Sequence, residues 1–321
     1  MSLTTKKETF TMKLKFDVRG KAQADPYIFE DGGKLYLYVT ARDGVEAYSA
    51  DSLLDVWHYE GIIGSLGEGE YGYWAPSVIK YEGKYYVYTS FVKAAQGDKK
   101  EEFEYMYVAS ADSPLGPFVN WKKLYDYFSI DSHIVETDAG LFLWSAMDNH
   151  GTNTPGTRIF LDRMLDPYTP EGKPREMLTP DFKEEMFRAN RYGDGRDYYT
   201  LEGAFWFKEG EWQYVMYSGG CFENDTYHVG YAVAKTDEAD LCKIDFKKVT
   251  DGEHFNPVLI KNEYEEGTGH HSVIKLDGQY YAIYHARDYG DKGFNNPRTA
   301  RICKLHVADG VITAERYEDH L

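Results

Sequence analysis

At residues 25–40 the chain reads DPYIFEDGGKLYLYVT. A polar residue is followed by a short apolar segment, a glycine-containing turn and a second, tyrosine-rich apolar segment. Apolar residues alternate with other residues along both segments, and turn-forming residues separate the two. This pattern predicts an antiparallel β-hairpin with one buried face.

The same pattern occurs four more times. The further copies read APSVIKYEGKYYVYTS from Ala75, DSHIVETDAGLFLWSA from Asp131, EGAFWFKEGEWQYVMYS from Glu202 and HHSVIKLDGQYYAIYHA from His270. Each copy is followed by another strand pattern and usually by a fourth. Five such units predict an all-β fold, a single five-bladed β-propeller with four-stranded blades. A β-sandwich would need fewer strands and no repeat of this length.

The chain is predicted to form one domain, because no Pro- or Ser-rich linker divides it. Residues 21–321 are interpreted as the catalytic propeller. Residues 1–20 are interpreted as an N-terminal extension whose start is consistent with a cloning remnant. Helical signal is confined to residues 179–190, where Pro180 suits a first turn and three apolar side chains share one face. We expect this segment to be an excursion between blades.

Composition narrows the classes of partner. The 321 residues include 36 Lys plus Arg against 53 Asp plus Glu, which gives a formal net charge of −17. Nucleic acids and anionic membranes attract basic patches, so neither is an expected partner. No apolar run approaches the length of a membrane span. A small, neutral oligosaccharide fits this composition, and the oligomeric state is left open.

The cysteines predict a reducing environment. Cys221, Cys242 and Cys303 are odd in number, widely spaced and free of any CxxC motif. A disulfide framework or a zinc site is therefore not expected. The N-terminal residues lack the apolar core of a signal peptide, so a cytoplasmic location is predicted. A signal trimmed from this sequence is the alternative.

Polar residues open four of the five repeats. In a propeller the first strand of each blade packs around the central axis, so residues at matching positions converge there. These positions hold Asp25, Trp74–Ala75, Asp131, Glu202 and His270. Carboxylates beside buried strands are costly unless they are paired or used. The alternatives are that the two aspartates begin local turns and that the histidine is hydrogen-bonded in the core.

Two carboxylates around a pocket suggest glycoside hydrolysis. One protonates the leaving oxygen, while the other activates water or attacks the sugar. A third carboxylate, here assigned to Asp131, would raise the pKa of the acid by charge repulsion. Trp74 offers a stacking face for a sugar ring, although a packing role for this tryptophan is an equal alternative.

Five motifs in order resemble glycoside hydrolase family 43, which contains arabinofuranosidases, β-xylosidases and arabinanases. They are ADPYIF at 24–29, YWAPSV at 73–78, IDSHIV at 130–135, LEGAFWF at 201–207 and GTGHHSV at 267–273. The resemblance extends over residues 20–316. It implies the five-bladed propeller and an inverting hydrolase that acts on arabinose- or xylose-containing glycans.

The resemblance also implies residue roles. Asp25 matches the general base, Glu202 the general acid, and Asp131 the carboxylate that orients the acid and tunes its pKa. Two departures are visible: Glu202-Gly203-Ala204 replaces the usual Glu-Gly-Pro, and His133 follows shortly after Asp131. We expect His133 to be an ordinary hydrogen-bonded histidine.

Three further residues are expected to bind the substrate. His270 matches a histidine at the pocket floor, which in several family members lies beside a calcium or other ion, usually through water. A structural Ca²⁺ near His270 is therefore expected, with no cofactor required for the chemistry. Arg298 matches an arginine that contacts the substrate and the catalytic carboxylates, and Arg287 is a second candidate for that role.

The predicted function is removal of terminal arabinofuranosyl or xylosyl residues from oligosaccharides derived from plant cell walls. Arabinofuranosidase and xylosidase activity are equally compatible with the sequence, because both use the same three carboxylates. Three rival functions stay open: an endo-1,5-α-L-arabinanase, a retaining fructosidase with Asp25 as nucleophile, and a non-catalytic carbohydrate-binding propeller. A metal-centred hydrolase using His133, His270 and His271 lacks a supporting HExxH motif.

Overall fold

The computed structural model describes residues 13–67, 70–93, 104–290 and 297–316. The regular structure of these residues is 23 β-strands and two 3₁₀ helices, with no α-helix among them. The all-β prediction is therefore confirmed. Of the predicted N-terminal extension, residues 1–12 lie outside the described residues.

Five units follow one another along the chain, and each contains one of the five predicted hairpins as an antiparallel strand pair. The first contains β1 (Lys15–Phe16), β2 (Tyr27–Asp31), β3 (Lys34–Val39), β4 (Val45–Ala50) and β5 (Val56–Gly64). The second contains β6 (Glu70–Tyr81), β7 (Lys84–Lys93), β8 (Glu104–Ala111) and β9 (Val119–Lys123).

The third unit contains β10 (Ile130–Thr137), β11 (Gly140–Asn149), β12 (Gly156–Asp166), β13 (Thr169–Pro170) and β14 (Arg175–Leu178). A 3₁₀ helix (Lys183–Glu185) and β15 (Met186–Arg188) then precede the fourth unit. That unit contains β16 (Tyr198–Glu209), β17 (Trp212–Gly219), β18 (His228–Lys235), a 3₁₀ helix (Leu241–Lys243) and β19 (Lys247–Lys248). The fifth contains β20 (Glu265–Leu276), β21 (Gln279–Asp288), β22 (Thr299–Ala308) and β23 (Val311–Glu315).

The first strands of the units contact one another in order. β2 contacts β6, β6 contacts β10, β10 contacts β16, β16 contacts β20, and β20 contacts β2. A parallel pairing of β12 with β16 joins the third and fourth units in one sheet, and β1 adds to the first unit in parallel with β5. Residues at the beginning of the first strands are thereby brought together.

The hydrophobic core consists of five clusters, each between two units. Four of them join consecutive units, and the fifth joins the fifth unit to the first. Tyrosine and other aromatic side chains supply much of this core, which is the packing role that alternating strand residues predict. Each sheet therefore buries both of its faces.

The predicted helix at residues 179–190 is wrong. Only one 3₁₀ turn forms there, and the chain leaves it at Met186 with extended torsion angles of φ −69° and ψ 121°. Glu185 explains the difference, because its buried carboxylate accepts the backbone N–H groups of Asp181 and Phe182. The same carboxylate binds Lys248 Nζ at 2.7 and 3.0 Å, which fixes the turn against the fourth unit.

The three cysteines are free thiols, as predicted. No helix in the described parts of the chain has the length and apolar character that crossing a membrane would require.

Candidate active site

One backbone feature recurs where the first strands begin. Residues Asp25, Ala75, Asp131, Gly203 and His270 have positive φ angles of 53°, 42°, 59°, 58° and 43°. In the second to fifth units the pairing register shifts at this point, which marks a β-bulge. Bulges redirect side chains and often lie beside active sites. For the four residues other than glycine, the left-handed conformation costs roughly 1–2 kcal/mol each.

The structure corrects the predicted alignment of the repeats by one residue. In the fourth unit the left-handed position is Gly203, not Glu202. Glu202 instead lies directly before the bulge, where the other units have Trp74 and Ile130. Glycine at this position allows the positive φ at low cost, and its missing side chain leaves room for the ring of His270. The two carboxylates of Asp131 and Glu202 therefore approach the site from different positions of the repeat.

Asp25 is buried among cationic and hydrogen-bonding groups. Its Oδ1 lies 3.2 Å from Arg298 Nη1 and 3.3 Å from His270 Nδ1, and its Oδ2 accepts a 2.5 Å hydrogen bond from Thr40. Burial disfavours its charge, but Arg298, His270 and His285 outweigh burial and hold the pKa of Asp25 well below its ordinary value. Asp25 is therefore ionised near neutral pH.

Asp131 is also buried, but its pKa shifts in the opposite direction. Its Oδ2 accepts a 3.1 Å hydrogen bond from the backbone N–H of Gly203. Burial, followed by the negative charges of Glu202 and Asp25, raises the pKa of Asp131 well above its ordinary value. Because Asp131 and Glu202 repel each other when both are ionised, the pair retains a proton near neutral pH.

Glu202 has the pKa that a general acid needs. Burial raises the pKa of Glu202 to about 7, and the charge of Asp25 acts in the same direction. A 2.5 Å hydrogen bond from Tyr227 to Oε1 and the charge of Arg298 act against this shift. A carboxylic acid with a pKa near 7 can hold and release a proton at neutral pH.

Two residues of this site were missed in the sequence. Tyr227 contacts Glu202 through its hydroxyl, and its ring stacks on His285 with centroids 5.8 Å apart and planes at 12°. Nδ1 of His285 lies 3.2 Å from both the backbone nitrogen and Oδ1 of Asp25. Burial lowers the pKa of His285 to about 4, so its ring is neutral. His285 stands opposite Gly269, the neighbour of His270, and that hairpin register was the available signal.

The two candidate arginines lie in different surroundings. Arg298 contacts Asp25, and its guanidinium lies 4.7 Å from the ring centre of Phe222. Arg287 is buried, donates a 2.9 Å hydrogen bond to the carbonyl of Phe222, and pairs with Glu266 at 3.4 Å. The structure thus brings Arg298, but not Arg287, against the predicted base.

Trp74 is the most exposed of the predicted site residues. Trp74 is 40% exposed and comes directly before the bulge residue Ala75. This exposure leaves surface of the tryptophan available to a ligand.

Beneath the carboxylates a small cavity is lined by Asp25, Asp131, His133, His270 and His271, among others. His133 Nε2 lies 3.2 Å from the carbonyl of Trp206, as expected of a hydrogen-bonded histidine. The ring nitrogens of His271 have no hydrogen-bond partner among the described residues, and burial lowers the pKa of His271 to about 3. Within the described ranges no three His, Cys, Asp or Glu side chains are placed to hold a metal ion. The residues therefore do not fit a directly ligated ion, and a Ca²⁺ bound near His270 through water stays a prediction.

The family is established by comparison with known proteins. A model described as glycosyl hydrolases family 43 matches residues 18–312. The chain belongs to this family.

Two curated proteins that are similar to this chain are named as arabinofuranosidases. The chain is 26% identical over 308 residues to α-L-arabinofuranosidase B of Pyricularia oryzae, covering 89% of this chain and 60% of the relative. It is 26% identical over 329 residues to an extracellular exo-α-(1→5)-L-arabinofuranosidase of Streptomyces avermitilis, covering 94% and 62%. The chain thus spans less than two thirds of the length of either relative.

Solved structures of glycoside-cleaving enzymes share the fold. A thermostable family-43 glycoside hydrolase superposes with a TM-score of 0.73 at 26% identity, covering 92% of this chain and 93% of the other. An endo-1,4-β-xylanase from Bacteroides thetaiotaomicron gives a TM-score of 0.73 at 25% identity, covering 96% and 97%. An α-L-arabinofuranosidase from Lactobacillus brevis, at 21% identity with coverages of 91% and 93%, also has a TM-score of 0.73 and shows the fold alone.

In this family 43 chain, the carboxyl groups are arranged for acid–base chemistry. Asp25 is held ionised and can accept a proton, whereas Glu202 has a pKa of about 7 and can donate one. Environments that separate the pKa values of two nearby carboxyls are typical of enzymes that use one as base and the other as acid.

Proposed function

We propose that this chain is an inverting glycoside hydrolase that removes terminal arabinofuranosyl or xylosyl residues from plant cell-wall oligosaccharides. Its five units are proposed to be the blades of a five-bladed β-propeller. The five inter-unit clusters support this architecture, because every unit packs against two others. The names of the two curated arabinofuranosidases support arabinofuranosyl substrates, and the name of the Streptomyces avermitilis enzyme supports exo action.

The observation that carries the mechanism is the opposite pKa shift of Asp25 and Glu202. Asp25 would accept a proton from a water molecule on one face of the sugar. Glu202 would donate its proton to the glycosidic oxygen on the other face. The water oxygen attacks the anomeric carbon as the glycosidic bond breaks, which inverts that centre. This mechanism requires the two carboxyl groups to lie about 6.5–9.5 Å apart.

Three other residues would support these two. Asp131 would repel Glu202 whenever both carboxyls are ionised, and it accepts a hydrogen bond from the backbone N–H of Gly203 beside the proposed acid. Arg298 favours the ionised form of Asp25 and would contact the substrate. Trp74 would stack on a sugar ring at the mouth of the site, since aromatic surfaces in ligand sites commonly supply the apolar contact.

Two rival functions predict different results. An endo-1,5-α-L-arabinanase would cleave internal bonds of arabinan and spare small aryl glycosides. A non-catalytic carbohydrate-binding propeller would have no use for an ionised carboxylate and a protonated one in the same site. The combination of Asp25 and Glu202 therefore favours hydrolysis over binding alone.

The testing experiment compares Glu202→Gln with the wild type on p-nitrophenyl α-L-arabinofuranoside, p-nitrophenyl β-D-xyloside and the corresponding disaccharides. We expect disaccharide hydrolysis to fall about 10²–10⁴-fold, and aryl glycoside hydrolysis to fall less, because a good leaving group needs little acid assistance. Glu209→Gln is the matched control, because Glu209 lies at the opposite end of β16 and pairs with Lys275. Equal losses on both kinds of substrate would contradict Glu202 as the acid.

A further inference from the structure

A second concave surface lies outside the catalytic pocket. It has a volume of about 1150 Å³ and is formed by three segments, residues 181–189, 224–228 and 251–261. We call it the outer groove. Ligand sites of proteins typically have volumes of about 300–1,000 Å³, so the outer groove has room for several sugar units.

Side-chain pairs hold the walls of the outer groove together. Glu184 in the first segment contacts His254 in the third at 2.5 Å. Arg188 reaches Glu223, next to the second segment, at 3.0 Å, and Lys261 reaches Asp225 at 2.5 Å. Exposed pairs of this kind contribute little stability one by one. The first segment is also anchored from below by the buried pair of Glu185 and Lys248, so the groove is formed before any ligand arrives.

The lining of the outer groove suits a neutral, hydroxyl-rich ligand. Met186, Phe187 and Phe255 are half-buried in its surface, and Ile260 is 44% exposed. The exposed amide of Asn224 and hydroxyl of Thr226 provide hydrogen-bonding groups beside this apolar surface. Four carboxylate and three Lys or Arg side chains line the groove, so no large excess of one charge selects an ionic ligand. Sugar chains combine apolar ring faces with hydroxyl groups and match this lining.

The outer groove and the predicted catalytic site lie on opposite sides of residues 226–228. Thr226 and His228 line the groove, while Tyr227 between them points to the other side and bonds to Glu202. Such alternation is usual where the chain enters a strand, here β18. A second link is Arg191, whose guanidinium lies 4.3 Å from the ring centre of Phe187 and whose charge acts on Glu202.

This position decides which part of the substrate could reach the outer groove. In a single displacement the acid protonates the oxygen of the leaving group, so the leaving-group glycan extends away from the acid. We propose that the outer groove binds distal sugar units of the leaving-group glycan, beyond the unit bonded to the scissile oxygen. This inference rests on the proposed hydrolase function and adds a preference for longer oligosaccharides.

The test measures kcat/KM for a p-nitrophenyl glycoside, which is too short to reach the outer groove, and for oligosaccharides of two to six units. The oligosaccharides are arabino- or xylo-oligosaccharides, according to which aryl glycoside is cleaved. Ile260→Ala removes exposed apolar surface from the groove, and Ala189→Trp fills it. Leu165→Ala is the matched control, because Leu165 is 66% exposed and lies in β12, outside the groove lining.

We expect wild-type kcat/KM to rise with chain length. The ratio of kcat/KM for the hexasaccharide to that for the aryl glycoside should fall about three- to tenfold in both groove variants and stay constant in the control. This size matches the loss of part of one apolar contact. A ratio that the groove variants leave unchanged, or no length dependence in the wild type, would overturn the groove assignment while the hydrolase function stands. Absence of hydrolysis of every substrate would overturn the proposed function and this inference with it.

Discussion

The hydroxyl of Tyr227 donates a 2.5 Å hydrogen bond to Oε1 of Glu202. The ring of Tyr227 also stacks on His285, whose Nδ1 lies 3.2 Å from Oδ1 of Asp25. The predicted acid and the predicted base are thus connected through two buried rings. This connection ties the orientation of one carboxyl group to that of the other.

Removal of the tyrosine hydroxyl should change the pH dependence of catalysis. The hydrogen bond from Tyr227 lowers the pKa of Glu202, so Tyr227→Phe should raise that pKa. An acid works only while protonated, and the basic limb of kcat/KM against pH should therefore move to higher pH. Tyr231→Phe is the matched control, because Tyr231 is buried in the same unit and its hydroxyl bonds to Asn256. A basic limb that stays in place or moves down in Tyr227→Phe would contradict the role of this bond.

Neutralisation of Asp131 should move the same limb in the opposite direction. The charge of Glu202 raises the pKa of Asp131. The same repulsion acts on Glu202 whenever Asp131 is ionised, and Asp131→Asn removes it. The pKa of Glu202 should fall, so activity should be lost at lower pH than in the wild type. Asp162→Asn replaces a buried carboxylate in β12 that bonds to the loop at Gly172, and it should leave the limb in place. An unmoved basic limb in Asp131→Asn would remove the tuning role.

The two arginines should have separable effects. Arg298 lowers the pKa of both Asp25 and Glu202, so Arg298→Gln should raise both values and move both limbs of the pH–rate profile to higher pH. Arg287→Gln should leave buried Glu266 without its ion partner and reduce the free energy of unfolding by about 3–5 kcal/mol. Urea unfolding of both variants measures the free energy of unfolding, and their pH–rate profiles measure the positions of the two limbs. If the limbs of the pH–rate profile moved in Arg287→Gln and not in Arg298→Gln, Arg287 would be the arginine that acts on the two carboxyls, which would contradict the assignment to Arg298.

A pair of glycines tests the bulge at the acid. Gly203 and Gly210 both have φ of 58°, but a Cβ at Gly203 would lie 3.3 Å from Cγ of His270, whereas nothing lies within 4 Å at Gly210. Alanine at either position should reduce the free energy of unfolding by about 1–2 kcal/mol through backbone strain. Only Gly203→Ala should also lower kcat on a disaccharide, whose leaving group needs the acid, because it displaces His270 and the backbone beside Glu202. Equal kcat values in the two variants would show that the bulge does not position the acid.

The strands of this fold were predictable because their signals are local. Alternating apolar residues and glycine turns lie within each hairpin, as in residues 25–40, and all five hairpins are confirmed. The predicted helix failed because its turn is determined by Glu185 and Lys248, which are 63 residues apart. A pattern within residues 179–190 cannot reveal such a partner.

The candidate site was predictable to the level of residue type. Asp25, Asp131 and Glu202 stand at or near the beginnings of repeats. Their surroundings lower the pKa of Asp25 and raise the pKa values of Asp131 and Glu202. The one-residue offset of Glu202 depends on a bulge, which is a property of torsion angles and not of composition. Tyr227 and His285 reach the site from the beginning of β18 and the end of β21, so only the packed sheets bring them together.

The central claim is a single displacement in which Asp25 activates water and Glu202 protonates the leaving oxygen. The most direct measurement is proton NMR of the anomeric signal during turnover of p-nitrophenyl α-L-arabinofuranoside and p-nitrophenyl β-D-xyloside. We expect the first sugar released to carry the inverted anomeric configuration, which then equilibrates by mutarotation. First release of the retained configuration would make Asp25 a nucleophile and contradict this mechanism.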